Sequence, residues 1–226
     1  LGFTTLVDHR EENGQVFSDI DIAPLSMGGL TDGVPTLEMA AAYATFPNGG
    51  SYKQPIFYTK VLNSRDEVII NKRAKTKRVY DEGVAWIMTD LLKSVVSKGI
   101  AGNAAISGVE VGGKTGTTND LFDVWFDGFT PEYSAALWIG TDLNVEMNGS
   151  SAQAAALWSK IMRKIDDITE GEYREMPSNV IKQNGEYYTE GTEKNAGKYS
   201  GGSSGKKSTN KEDASETDEE KNNLEY

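Results

Sequence analysis

The apolar positions of this chain change period several times. Residues 81–98 place Val84, Ile87, Met88, Leu91, Leu92 and Val95 at the i, i+3, i+4, i+7 spacing of an amphipathic helix. Asp81 is placed to cap it, Glu82 lies in its first turn, and Lys98-Gly99 ends it. Residues 150–165 predict another helix, with Ala154, Leu157, Trp158, Ile161 and Ile165 on its buried stripe. A third starts at residues 34–39, with Thr36 as N-cap and Glu38 near its positive end. Its alanines at 40, 41, 42 and 44 permit close packing, and Asn48-Gly49-Gly50 stops it.

Elsewhere the period is two. Residues 109–118 open with alternating apolar and polar side chains, and residues 123–130 and 133–140 read as further strands. Thr130-Pro131-Glu132-Tyr133 is a tight turn with proline at its second position. Connections this short make the three strands antiparallel neighbours. Residues 51–70 predict a hairpin that turns at Asn63-Ser64-Arg65-Asp66 and returns through Val68-Ile69-Ile70. The basic run 71–78 after it reads as a solvated loop, since no aromatic interleaves it. Residues 1–22 carry a weak pattern with a turn signal at Asn13-Gly14. The predicted fold class is α/β of the α+β type, an antiparallel sheet flanked by helices. Beyond Gly171 the apolar pattern fades. Residues 1–170 are therefore expected to form the folded part, and 171–226 a flexible polar and acidic tail with a Gly/Ser-rich linker at 199–205.

Composition narrows the function. The 226 residues include no cysteine and a single histidine, His9, so thiolate chemistry and a zinc site have no basis. A net charge of −11 argues against general nucleic-acid binding. No apolar run is long enough to span a bilayer. The chain begins with Leu1 and carries no signal peptide, and is expected to be cut from something longer.

Candidate chemistry centres on Val109-Glu110-Val111-Gly112-Gly113-Lys114-Thr115-Gly116-Thr117-Thr118. Two glycines let another backbone or a ligand lie close to the strand. A fixed cation and three hydroxyls come next, which suits a bound carboxylate or oxyanion. The spelling Gly108-x-x-x-x-Gly113-Lys114-Thr115 also matches a phosphate-binding P-loop, but that motif requires a helix starting at the lysine. Here the chain continues instead through Gly116 to the β-rich Asp123-Val124-Trp125-Phe126. The Lys-Thr-Gly element of penicillin-interacting serine enzymes sits on a strand, and its context is met.

Four segments together resemble the transpeptidase domain of bifunctional, high-molecular-weight penicillin-binding proteins. They are residues 31–40 with Tyr43-Ala44-Thr45-Phe46, the motif Gly113-Lys114-Thr115-Gly116-Thr117-Thr118, residues 123–131, and Leu137-Trp138-Ile139-Gly140. The resemblance spans residues 1–164. It implies acyl transfer: a serine attacks the penultimate D-Ala carbonyl of a peptidoglycan stem peptide and a neighbouring strand's amine then takes the acyl group. It implies catalytic roles for Lys114 and Thr117, substrate-binding roles for Thr115, Gly116 and Thr118, and no metal or organic cofactor. Stem peptides and, as inhibitors, β-lactam antibiotics are the implied partners. The implied place is the extracytoplasmic face of the bacterial membrane, reached only through an N-terminal anchor missing here.

This sequence departs from the family in lacking Ser-x-x-Lys and Ser-x-Asn before Lys114. Matches by spelling at Ser203, Ser204 and Ser208 lie in the low-complexity tail and are set aside. The chain is thus expected to be a C-terminal part whose nucleophile lies upstream and which is inactive alone. A non-catalytic cell-wall binding module that retains the strand is the alternative, with a P-loop nucleotide binder behind it.

Overall fold

The computed structural model describes residues 1–143 and 145–195. In chain order the elements are β1 (Arg10–Glu12), β2 (Gln15–Phe17), α1 (Ile22–Met27), α2 (Thr36–Tyr43), β3 (Ser51–Lys53), β4 (Lys60–Leu62), β5 (Val68–Asn71), β6 (Thr76–Arg78), α3 (Glu82–Ser97), β7 (Gly112–Thr117), β8 (Asp123–Phe129), β9 (Ser134–Gly140), α4 (Ser151–Met162), β10 (Val180–Gln183) and β11 (Glu186–Thr189). The predicted three-strand meander is present: β7, β8 and β9 form one antiparallel sheet in that order.

Helices cover both faces of this sheet. Val124 and Phe126 of β8 lie on one face against α4, where the Phe126 and Trp158 rings meet edge-on at 5.2 Å. The Trp158 indole N–H donates to the Ala135 carbonyl at 2.9 Å. On the other face the Ser134 hydroxyl donates to the Ala40 carbonyl of α2 at 2.8 Å. Asp127 and Phe129 share that face by the period-two rule. α3 packs along β7 closely enough that a side chain at Gly112 would meet the Lys93 backbone nitrogen at 3.4 Å. Asp81 caps α3 as expected, accepting from the Gly83 N–H at 2.8 Å. Ser150 opens α4 with a reciprocal capping box to Gln153.

The helices follow the predicted stripes in part, burying Leu92 of α3 and Ala154 and Trp158 of α4 as expected. α3 buries Gly83, Ala85, Thr89, Leu92 and Val96 and leaves Leu91 52% exposed. α4 buries Ala154, Ala155, Trp158, Ser159 and Met162 and leaves Leu157 and Ile161 exposed. Small residues such as Ala85, Ala154 and Ala155 let the helices approach closely, with Leu92, Trp158 and Met162 buried among them. Thr36 is the first helical residue of α2 rather than its cap, which falls at Pro35; proline fixes φ but offers no side-chain acceptor. The basic run is only partly a loop, since Thr76–Arg78 pairs with Ser51–Lys53.

The expected tail from residue 171 is corrected for residues 171–193, which belong to the same compact unit as the rest of Leu1–Glu193. Tyr173 donates its hydroxyl to the Glu110 carbonyl at 2.8 Å and packs its ring against Phe129. The Trp86 indole donates to the Arg174 carbonyl at 3.1 Å, and Asn179 donates to the capping carboxylate of Asp81 at 2.8 Å. β10 and β11 close as a hairpin around Asn184-Gly185, both at positive φ, and Tyr187 meets Trp86 edge-on at 5.0 Å. These few large anchors dock a polar segment whose composition alone does not suggest a core. Residues 196–226, with the Gly/Ser linker and acidic run, lie outside the described residues.

Candidate active site

β7 carries the Lys-Thr-Gly-Thr sequence as a strand, paired with β8 on one side only. No helix begins at Lys114, which removes the P-loop alternative. Alternation sorts the motif. Lys114 lies opposite Asp127, and Gly116 opposite Trp125, on the α2 face. Thr115 lies opposite Phe126, and Thr117 opposite Val124, on the α4 face.

Lys114 and Thr117 are both exposed, while Thr115 is 8% exposed. The Lys114 ammonium donates to the Thr115 carbonyl at 3.0 Å. Thr118 follows the strand: its hydroxyl accepts the Asp123 N–H at 2.9 Å, and its N–H donates to the Asp123 carbonyl. It closes the β7–β8 connection, in which Asp120 and Leu121 both take positive φ. Such backbone costs roughly 1 kcal/mol or more per residue and persists because the flanking ladder fixes it. Among the described residues no serine or threonine hydroxyl is hydrogen-bonded to a lysine amine, the arrangement that would activate a nucleophile.

The glycines before Lys114 make room for aromatic rings rather than for a ligand. A Cβ at Gly112 would lie 2.5 Å from the Phe129 ring, and one at Gly113 would lie 2.6 Å from Phe126 and 2.7 Å from the Asp127 carbonyl oxygen. At Gly116 the nearest atom is Trp125 Cβ, at 3.1 Å. β8 thus holds β7 close along its length and sets where Lys114 and Thr117 emerge.

A family model for the penicillin-binding protein transpeptidase domain matches residues 1–163. This chain belongs to that family. Penicillin-binding protein 1A of Clostridium acetobutylicum is 37% identical over 196 residues, covering 85% of this chain and 24% of that protein. Penicillin-binding protein 1F of Bacillus subtilis is 32% identical over 189 residues, covering 80% of this chain and 26% of that protein. The solved penicillin-binding protein 1A from Haemophilus influenzae shares the fold at a TM-score of 0.60 and 21% identity, over 72% of this chain and 33% of that one. The chain spans about a quarter of the length of the curated relatives it matches.

Three features of this transpeptidase domain were not singled out from the sequence. Trp125 and Trp138 stand side by side across β8 and β9, at 6.5 Å, next to Gly116. The Trp138 indole donates to the Asp123 carboxylate at 2.6 Å, which ties this aromatic pair to the connection after Thr117. Asp127, directly across from Lys114, is 6% exposed and its Oδ1 has no hydrogen-bond partner. Burial pushes its carboxyl up to about 7, and Tyr43 of α2, close enough to feel the charge, is pushed well above the usual tyrosine range by burial and then by Asp127. The alternation of β8 could have placed Asp127 on a covered face. A cavity of about 540 Å³ lies between α3 and residues 169–177, beside Trp86, Lys93 and Tyr173, and none of residues 114–118 lines it.

Proposed function

We propose that the chain supplies the third-motif strand of a peptidoglycan D,D-transpeptidase, and that the serine nucleophile comes from a segment of the whole protein outside these 226 residues. The observation that carries this is Lys114 and Thr117 emerging from a strand held by the aromatic residues of β8, in a chain of the transpeptidase family. The nucleophile's oxygen attacks the penultimate D-Ala carbonyl, the bond to the terminal D-Ala nitrogen breaks, and the acyl group passes to a neighbouring stem peptide's amine. Lys114 supplies positive potential to the substrate carboxylate. Thr117, at the exposed end of the strand, contributes its backbone N–H to the developing oxyanion, while its side chain lies on the opposite face from Lys114. One such donor is worth roughly 2.7–4 kcal/mol of barrier.

The buried Thr115 and the close-packed Gly116 fit positioning of the strand better than direct substrate contact, and Thr118 fits the shaping of the connection. β-Lactams enter as substrate mimics. Among fold neighbours, penicillin-binding protein A from Mycobacterium tuberculosis is described as an imipenem acyl-enzyme complex. The extracytoplasmic membrane face is the corresponding place for the whole protein.

Fluorescent penicillin tests this reading. The whole protein should label covalently and the 226-residue chain should not. Lys114→Ala in the whole protein should lower the acylation rate by about a hundredfold, the scale of losing one charged transition-state contact. Stoichiometric labelling of the isolated chain would sink the assignment of an outside nucleophile.

A further inference from the structure

Asp127 of β8 stands directly opposite Lys114 of β7 in the antiparallel register. It is 6% exposed, and its buried Oδ1 has no hydrogen-bond partner among the described residues. A carboxylate so placed is costly, and one that served packing alone would be met by a donor. The elements packed on this face offer it no other free charge. On α3, Glu82 pairs with Arg174 at 3.4 Å, Lys93 pairs with Glu110 at 2.9 Å, and Asp90 lines the cavity beside residues 169–177. On α2, Glu38 is engaged by Thr4, and burial keeps the Tyr43 hydroxyl neutral. β9 places Ala136 opposite Asp127 and carries no ionisable residue. Among the described residues of these elements, Lys114 is the cation left for it.

Reach favours the pair. Directly opposed residues of an antiparallel pair have Cβ atoms about 5 Å apart, a gap that a lysine stem spans. Lys114 is exposed, and its ammonium rests on the Thr115 carbonyl at 3.0 Å, a neutral acceptor weaker than a carboxylate. β7 is paired on one side only, so the side chain can lean inward over β8 or outward past the free edge. Burial holds the Asp127 carboxyl up at about 7, so it exchanges its proton near neutrality.

We propose that Asp127 is a positioning residue for Lys114: as the anion it draws the ammonium inward over β8, and as the neutral acid it releases the ammonium to the substrate carboxylate. The assignment rests on the transpeptidase reading and deepens it, adding a control on the cation of the motif. One proton moves, between Asp127 and water. Its loss leaves an anion that competes with the substrate carboxylate for the same ammonium, so acylation is held back as pH rises through neutrality.

Two measurements test this. In the 226-residue chain, carboxyl carbon NMR follows Asp127 from pH 4 to 9, and Lys114→Gln should raise its midpoint by about 0.7 pH unit. In the whole protein, acylation by fluorescent penicillin is timed from pH 5.5 to 8.5 and scaled to the amount labelled at completion, which removes any unfolded fraction. The rate of Asp127→Asn relative to the unaltered protein should rise about fivefold over that range. The two figures are one coupling read from its two ends, since a fivefold withdrawal of Lys114 corresponds to about 0.7 pH unit at Asp127. With Lys114→Gln in both proteins the ratio should stay flat. Asp127→Ala repeats the comparison should the buried amide prevent folding. A midpoint indifferent to Lys114, or a ratio that rises as much without Lys114, would overturn the proposal. So would a loss of rate in Asp127→Asn that is equal at every pH, which would assign the orphan oxygen to a donor from elsewhere in the whole protein. An unaltered whole protein that never labels would remove the transpeptidase reading, while the NMR midpoint decides separately whether Asp127 and Lys114 are coupled.

Discussion

The β7–β9 sheet and the β4–β5 ladder use the same antiparallel pairing and differ in what covers them. In β8, Val124, Phe126 and Phe129 are essentially fully buried, whereas all four residues of β5 are exposed. Cover on both faces makes residue identity critical: Gly112, Gly113 and Gly128 are where neighbouring rings leave no room for a Cβ. A two-stranded ladder with neither face enclosed constrains mainly its turn, where Asp66 takes positive φ and Asn63 ties the loop. The transpeptidase motif sits on the constrained element. The proposed roles of Lys114 and Thr117 call for placement to a fraction of an ångström, which the constrained element supplies.

The largest test of the contrast is pH. Asp127 sits inside the sheet's covered face with its carboxyl pushed up to about 7, above the ordinary value of 3.8. The native state therefore binds a proton more tightly than the unfolded chain. The group's contribution is full below pH 4 and is lost as pH rises to about 7, with stability falling by about 4 kcal/mol over that window. Asp127→Asn should flatten this slope in urea titrations run from pH 4 to 8, with Tyr43, the titratable neighbour from α2, left in place. A slope that survives Asp127→Asn would place the pH dependence outside the covered face of the sheet.

Next in size is a single methyl group. Gly113→Ala would drive a Cβ into Phe126 and the Asp127 carbonyl, for a loss of about 3 kcal/mol in chemical denaturation. Gly185→Ala, in the β10–β11 turn, meets nothing within 4 Å and carries only the strain of φ +91°, about 1 kcal/mol. Equal losses at the two positions would erase the distinction between a covered strand position and an open turn.

The same dipeptide shows how legibility varies. Asn13-Gly14 and Asn184-Gly185 both build tight turns with two positive φ values, and both are visible in the sequence. The second is easily overlooked because its surroundings are polar, although Val180-Ile181 and Tyr187-Tyr188 flank it as a hairpin requires. The meander and its antiparallel order were legible because period-two runs joined by four or five residues admit one arrangement. The buried helix faces were legible in part: Leu92, Ala154 and Trp158 are buried where the periodicity put them, but Ala85 and Ala155 were missed because hydrophobic periodicity tracks the larger side chains. At the site, the strand was legible from its alternation and from the β-rich run beyond Gly116. The role of the glycines was not, since only the fold brings Phe126 and Phe129 against them.

The smallest expected effect separates burial from mere apolarity. Ile69 looks in sequence like part of a core strand, yet it is exposed, at the irregularity where the β4–β5 register shifts between Val61 and Leu62. Ile69→Thr keeps the branched Cβ that suits an extended backbone and removes an apolar group already in water, so it should change stability by less than about 0.5 kcal/mol. Val124→Thr asks the same near-isosteric swap of the covered sheet. There the hydroxyl enters a region packed by Phe126, Trp158 and Ala154, and an unpartnered hydroxyl costs about 1–3 kcal/mol. Parallel thermal melts of the two variants measure the difference directly. A loss at Ile69 as large as at Val124 would mean that the exposed ladder is enclosed in solution.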